Sequence, residues 1–101
     1  MKREEILESA RICVCGERPT DYGSPEDSFA AIADLWTVYI NQTAELPDYL
    51  ELTPVDVACM MALLKIARIA KGTGTADSFV DLAGYAACGG EIATRGRDAA
   101  V

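Results

Sequence analysis

The sequence predicts an all-α protein: a compact four-helix bundle with one central apolar helix. Apolar residues recur at three- and four-residue spacing in four segments, each bounded by proline, glycine or an acidic cap. The run Val57-Ala-Cys-Met-Met-Ala-Leu-Leu64 contains no polar residue, the pattern of a helix touched on all sides by other helices. With 101 residues, half of them apolar, the chain suits one domain with one core. We read residues 1–93 as a single helical domain and 94–101 as a flexible C-terminal tail without periodicity.

The first helix is expected over about Arg3 to Cys15, with Ile6, Leu7, Ala10, Cys13 and Val14 on one face. Its acids Glu4, Glu5 and Glu8 favour the N-terminal turns, and Gly16 follows its end. A loop of turn-forming composition, residues 17–23, leads to Ser24-Pro25-Glu26-Asp27, which combines a cap, a first-turn proline and two acids. The second helix then carries Phe29, Ile32, Ala33, Trp36 and Ile40 inward, with Leu35 and Tyr39 widening the stripe. Residues 41–52 read as an irregular acidic connector containing Pro47, suited to mobility.

Thr53-Pro54-Val55-Asp56 opens the third helix: a threonine cap, a proline at the first helical position and an acid placed to reach back. The helix is expected to end near Gly72. Gly72-Thr73-Gly74-Thr75 is a short turn that lacks the Gly-Lys-Ser/Thr ending of a phosphate-cradling Walker loop. A fourth helix starts around Thr75 to Asp77 and carries Asp77, Asp81, Gly84, Tyr85 and Cys88 along one side, with Phe79, Leu82, Ala83 and Ala86 on the other. Its small residues, Ala83, Gly84, Ala86, Ala87, Gly89 and Gly90, cost helix propensity and imply close approach of another backbone, in the bundle or across a subunit interface.

A formal charge of −7 argues against nucleic acid and anionic membranes as partners. The N-terminus has no signal-peptide core and the apolar runs are too short to span a bilayer, so a cytoplasmic location is expected. The chain has no histidine, which removes the usual general base and any Ser-His or Cys-His pair. Cys13 and Cys15 are too close for an ordinary disulfide, and Cys59 and Cys88 fall in apolar helical patterns. All four are expected as free thiols packed like small hydrophobes rather than as zinc ligands.

The bases are concentrated. No Lys or Arg occurs between Arg18 and Lys65, after which Lys65, Arg68 and Lys71 follow at three-residue intervals. Lys71 suits the helix C-terminal dipole. Lys65 and Arg68, one turn apart, are candidates for binding phosphate. A tight turn makes the last two helices antiparallel, which also brings these bases beside Asp77 and Asp81 as a structural ion-pair cluster. Two aspartates four apart repel, and a bridging divalent cation is a third way to offset that.

Asp21-Tyr22-Gly23, then Asp56-Val57-Ala58 with Leu64-Lys65-Ile66-Ala67-Arg68, then the stretch Asp77-Ser78-Phe79-Val80-Asp81-Leu82-Ala83-Gly84-Tyr85-Ala86, resembles a small group of phage-borne, largely uncharacterised proteins. The helix pattern also resembles, more distantly, the all-α nucleoside triphosphate pyrophosphohydrolases of the MazG type, which hold Mg²⁺ with Glu-x-x-Glu and Glu-x-x-Asp. Asp81 matches the last acid of that second motif, but Ser78 stands three before it. The third helix has no Glu-x-x-Glu, and Glu5-Ile6-Leu7-Glu8 has its letters on a solvated face.

Three functions follow as expectations. The first is a nucleotide or nucleotide-derived-signal binder that sequesters a host defence messenger, with Lys65 and Arg68 on phosphate, Asp77 and Asp81 on ribose, and Tyr22, Trp36 or Tyr85 stacking on the base. It needs no cofactor. The second is a Mg²⁺-dependent pyrophosphohydrolase with Asp56, Asp77 and Asp81 as metal ligands. The third is a helical protein-interaction module. Because three companion helices do not fully cover an apolar third helix, self-association as a dimer or larger is expected with any of them.

Overall fold

In a computed structural model the chain is described over residues 1–16 and 25–95, with residues 25 and 26 described by their backbone alone. Four helices form: α1 Arg3–Cys15, α2 Pro25–Thr43, α3 Pro54–Ala70 and α4 Thr75–Thr94. No strand occurs among the described residues, so the all-α bundle predicted above is the observed fold class. The loop 17–24, including the Ser24 cap and Tyr22, and the tail beyond Arg95 lie outside the described residues.

The α3–α4 hairpin is the frame. Asp56 N–H donates to Thr53 Oγ1 at 3.2 Å and Thr53 N–H donates to Asp56 Oδ2 at 2.9 Å, a reciprocal cap that starts α3 where the sequence placed it. At its other end Thr73 N–H donates to the Arg68 carbonyl and Gly72 N–H to the Ile69 carbonyl, with Gly72 at φ 75°. This is the Schellman ending, which needs a left-handed residue. Gly74, at φ 57°, turns the chain into α4.

α4 lies antiparallel on α3, and the glycines set the spacing. A Cβ on Gly89 would lie 2.8 Å from Ala58 Cβ, and one on Gly84 would lie 3.2 Å from Val14 Cγ1 of α1. The small-residue face of α4 thus serves close approach within the bundle, to α3 at one position and α1 at the other. α1 packs on α4, and α2 packs on α3 with little contact to α4. The core comprises Phe29, Ala33, Val57, Ala58 and Cys88, flanked by Val14, Ile32, Trp36, Leu52, Met61, Tyr85 and Ile92.

Two expectations need correction. The connector after α2 is fastened rather than loose: Asn41 Nδ2 donates to the Leu50 carbonyl at 2.6 Å, and Leu50 N–H donates back to Asn41 Oδ1 at 3.0 Å. Leu52 N–H donates to Thr37 Oγ1 at 2.9 Å, on a threonine that is itself buried. The chain therefore doubles back along α2, and α3 begins beside the middle of α2 rather than beyond its end.

The second correction concerns α3, which is not covered on all sides. Val57 and Ala58 are buried, but Met60, Leu63, Leu64 and Ile66 are 41–62% exposed. Contacts from α2 and α4 come to one side of α3, which leaves the other apolar side open.

Candidate functional site

The antiparallel hairpin brings the last turns of α3 beside the first turns of α4, as required for the predicted constellation. Lys65 Nζ lies 3.0 Å from Asp81 Oδ2, with the lysine side chain 17% exposed and the carboxylate 41%. The aliphatic stem of Lys65 is largely covered while its partner meets water, the usual way a lysine sits at a core margin. Arg68 is exposed one turn on and pairs with no acid among the described residues. Its Nη2 lies over the turn, 3.6 Å from where a Cβ on Gly74 would stand. Asp77 is exposed in the first turn of α4, where a carboxylate complements the helix dipole. Of the four residues, then, one pair is joined and two face solvent.

The third predicted metal ligand is elsewhere. Asp56 caps the opposite end of α3, nine residues before Lys65 and so about 13 Å away along the helix axis. Asp56, Asp77 and Asp81 are not assembled, because the turn that joins α3 to α4 brings their near ends together and keeps their far ends apart. Among the described residues no group of three or more His, Cys, Asp or Glu is placed to hold a metal ion.

Of the aromatics proposed for stacking, Tyr22 lies outside the described residues, and Trp36 and Tyr85 serve the interior. Tyr85 is half-buried against Phe29, ring centroids 6.1 Å apart and planes inclined at 35°, a favourable tilted pair. Trp36 packs against the same core cluster. Cys88 is buried as expected, whereas Cys13, Cys15 and Cys59 are exposed. That corrects the expectation that all four pack as small hydrophobes: Cys59 lies on the open side of α3, and α1 buries only Ala10 fully. A surface groove of about 640 Å³ runs between the starts of α1 and α4, lined by Met1, Arg3, Ile6, Leu7, Thr75, Ala76 and Phe79. It includes none of the predicted site residues.

The largest feature left over is apolar. Leu35, Val38 and Tyr39 on the outer side of α2 are 69%, 56% and 70% exposed, and Met60, Leu63, Leu64 and Ile66 line the open side of α3. Sequence reasoning assigned Leu35 and Tyr39 to a widened inner stripe. The available signal was that α2 is apolar over more than the third of its circumference that one neighbour covers.

These features define a small helical protein with a paired Lys65–Asp81 contact and exposed apolar helix faces. Residues 5–93 match the family described as a domain of unknown function, DUF6378, and the chain belongs to that family. It is 45% identical over 86 residues to the Gene 55 protein of Mycobacterium phage D29, covering 84% of this chain and 51% of that protein. It is 42% identical over 81 residues to the Gene 55 protein of Mycobacterium phage L5, covering 80% of this chain and 47% of that one. The chain thus matches about half the length of these relatives, and both are phage proteins, in line with the phage resemblance of the sequence. Neither the family nor these relatives support the MazG-type resemblance, and no solved structure matches the chain. Among the described residues, no helix is long and apolar enough to cross a membrane.

Proposed function

We propose that the protein is a helical protein-interaction module working through the outer faces of α2 and α3. The observation that carries this is the exposure of seven large apolar side chains on those two helices, at 41–70% each. Scattered apolar residues at a surface are ordinary, but rows of them along one helix face mark contact surfaces. Small residues bring α4 close to α1 and α3, while these seven large apolar side chains of α2 and α3 stay outside the core.

The test is whether these residues serve the fold. Leu35→Gln and Tyr39→Gln should leave the thermal midpoint of the isolated protein nearly unchanged, within roughly 0.5 kcal/mol, as for surface substitutions away from structural features. A loss of several degrees would show that the α2 face is covered within the fold and would remove the basis of the reading.

A second reading, the binding of a nucleotide-derived phosphate, is favoured by one observation: Arg68 stands exposed beside the start of α4, where no side chain caps the helix. Free N–H groups and a guanidinium are anion-binding chemistry. A thermal-shift series with nucleotides and cyclic or ADP-ribose-type signals, with and without Mg²⁺, separates the readings. Stabilisation that Arg68→Ala abolishes supports the phosphate site, and no shift with any of them supports the interaction module. The Mg²⁺-dependent hydrolase has no such support, since Asp56 stands at the start of α3 while Asp77 and Asp81, on α4, stand beside its other end.

A further inference from the structure

The open side of α3 has an order along its length that the outer side of α2 lacks. At its N-terminal end stands Asp56, partly exposed; at its C-terminal end stands Lys71, exposed. Between them, on the same side, come Met60, Leu63, Leu64 and Ala67, all exposed. The row is acid, apolar, base, and its midpoint falls between Leu63 and Leu64. A face of that kind is complementary to itself turned end for end.

Resting on the interaction reading, we propose that the partner at α3 is a second copy of the chain, docked antiparallel about a two-fold axis at Leu63 and Leu64. In that register Leu63 packs on the partner's Leu64 and Met60 enters the space left by the partner's Ala67. Asp56 faces the partner's Lys71 at each rim, so one register satisfies shape and charge together. Asp56 accepts the Thr53 N–H through Oδ2, which leaves its second carboxylate oxygen free for an ammonium group.

Crossing geometry narrows the arrangement. Asp56 and Lys71 are fifteen residues apart, so each lies about 11 Å from the axis. A shallow crossing of about 20° spreads the helix ends by only roughly 4 Å, within reach of a lysine side chain, whereas the steeper class near 50° spreads them by roughly 9 Å. The dimer therefore uses the shallow, coiled-coil-like class. Met60, Leu63 and Leu64 are the large apolar side chains that each copy offers, a small face of the kind that weak, concentration-dependent association uses.

The outer side of α2 does not make the same argument. No base occurs between Arg18 and Lys65, so two copies of that face would set acids such as Asp34 against each other. Charge therefore selects α3 as the self-contact and leaves α2 for other surfaces.

Sedimentation equilibrium of the full chain over the micromolar range tests this. The wild type should dimerise, and Leu63→Glu should weaken the dimer at least about tenfold while remaining folded, because Leu63 is exposed in the single chain. Lys71→Asp should weaken it several-fold, and the double exchange Asp56→Lys with Lys71→Asp should restore it, since each rim regains opposite charges only when the helices are antiparallel. A far-UV melt of each variant shows that it is folded, and should Asp56→Lys unfold α3 through loss of its cap, Leu63→Glu and Lys71→Asp decide alone. A wild-type monomer at every concentration, or a dimer indifferent to Leu63→Glu, overturns the proposal. Either outcome leaves the broader interaction reading to its own test on α2.

Discussion

Lys65 and Arg68, one helical turn apart, have different surroundings and should respond differently to mutation. Lys65→Met keeps the apolar stem and removes the contact to Asp81; with 41% of that carboxylate exposed, water replaces the ammonium and the cost should stay below about 1 kcal/mol by denaturant titration. Arg68→Ala should change stability by less than roughly 0.5 kcal/mol, since no buried carboxylate is left unpaired. A loss of about 3–5 kcal/mol at either position, the range for breaking a buried pair, would show an ion-pair cluster far drier than this one. On α1, Arg11 donates to Glu8 through Nε at 2.9 Å and Nη2 at 2.6 Å, and this holds the Glu8 carboxyl below the ordinary value of 4.5. A folded-state value below the unfolded one stabilises above the unfolded value and is lost as pH falls through the folded one. Arg11→Ala should therefore raise the Glu8 titration midpoint in an NMR pH series, with little change in stability because both groups are fully exposed.

At the scale of elements, two devices set the packing. The α3–α4 spacing rests on Gly89 against Ala58, so Gly89→Ala, whose Cβ would meet Ala58 Cβ at 2.8 Å, should cost about 1–3 kcal/mol as overpacking. Adding Ala58→Gly should recover part of that loss, a coupling readable in a double-mutant cycle. The start of α3 rests on Asn41, whose amide bonds both backbone groups of Leu50; Leu50 is exposed, so in Asn41→Leu water takes over those groups and the cost should be about 0.5–1.5 kcal/mol. The first device was legible in the sequence because glycines inside a helix cost propensity and are kept where a neighbouring helix comes close. The second was not, because Asn41 and Leu50 are nine residues apart and nothing in an acidic, proline-containing connector marks a return along the preceding helix. The caps were legible: Thr53-Pro54-Val55-Asp56 and Gly72 are local signals, and local hydrogen bonds fix the ends of α3.

For the whole molecule, the contacts run in series, α1 on α4, α4 on α3 and α3 on α2. A serial arrangement leaves the outer side of each helix open, and this chain carries apolar residues there. The run from Val57 to Leu64 made α3 recognisable as a helix needing cover on more than one side, but the source of that cover is a property of neighbours and not of the run itself. For the same reason Cys59, inside that run, is exposed and Cys88, on the inner face of α4, is buried. The proposed site was legible in part: antiparallel α3 and α4 were enough to bring Lys65 to Asp81, and the local cap signal already set Asp56 at the start of α3, but the packing of Tyr85 on Phe29 depends on tertiary contacts. The central claim for the assembled molecule is that the open side of α3 is an interface between two copies of the chain. Cys59, one helical turn before Leu63 and so at the edge of that face, reports on it, with the exposed Cys13 and Cys15 as references in the same chain. The alkylation rate of Cys59, followed by peptide mass spectrometry as protein concentration rises through the micromolar range, should fall relative to those of Cys13 and Cys15. A Cys59 rate that keeps a constant ratio to the other two at every concentration would contradict the account.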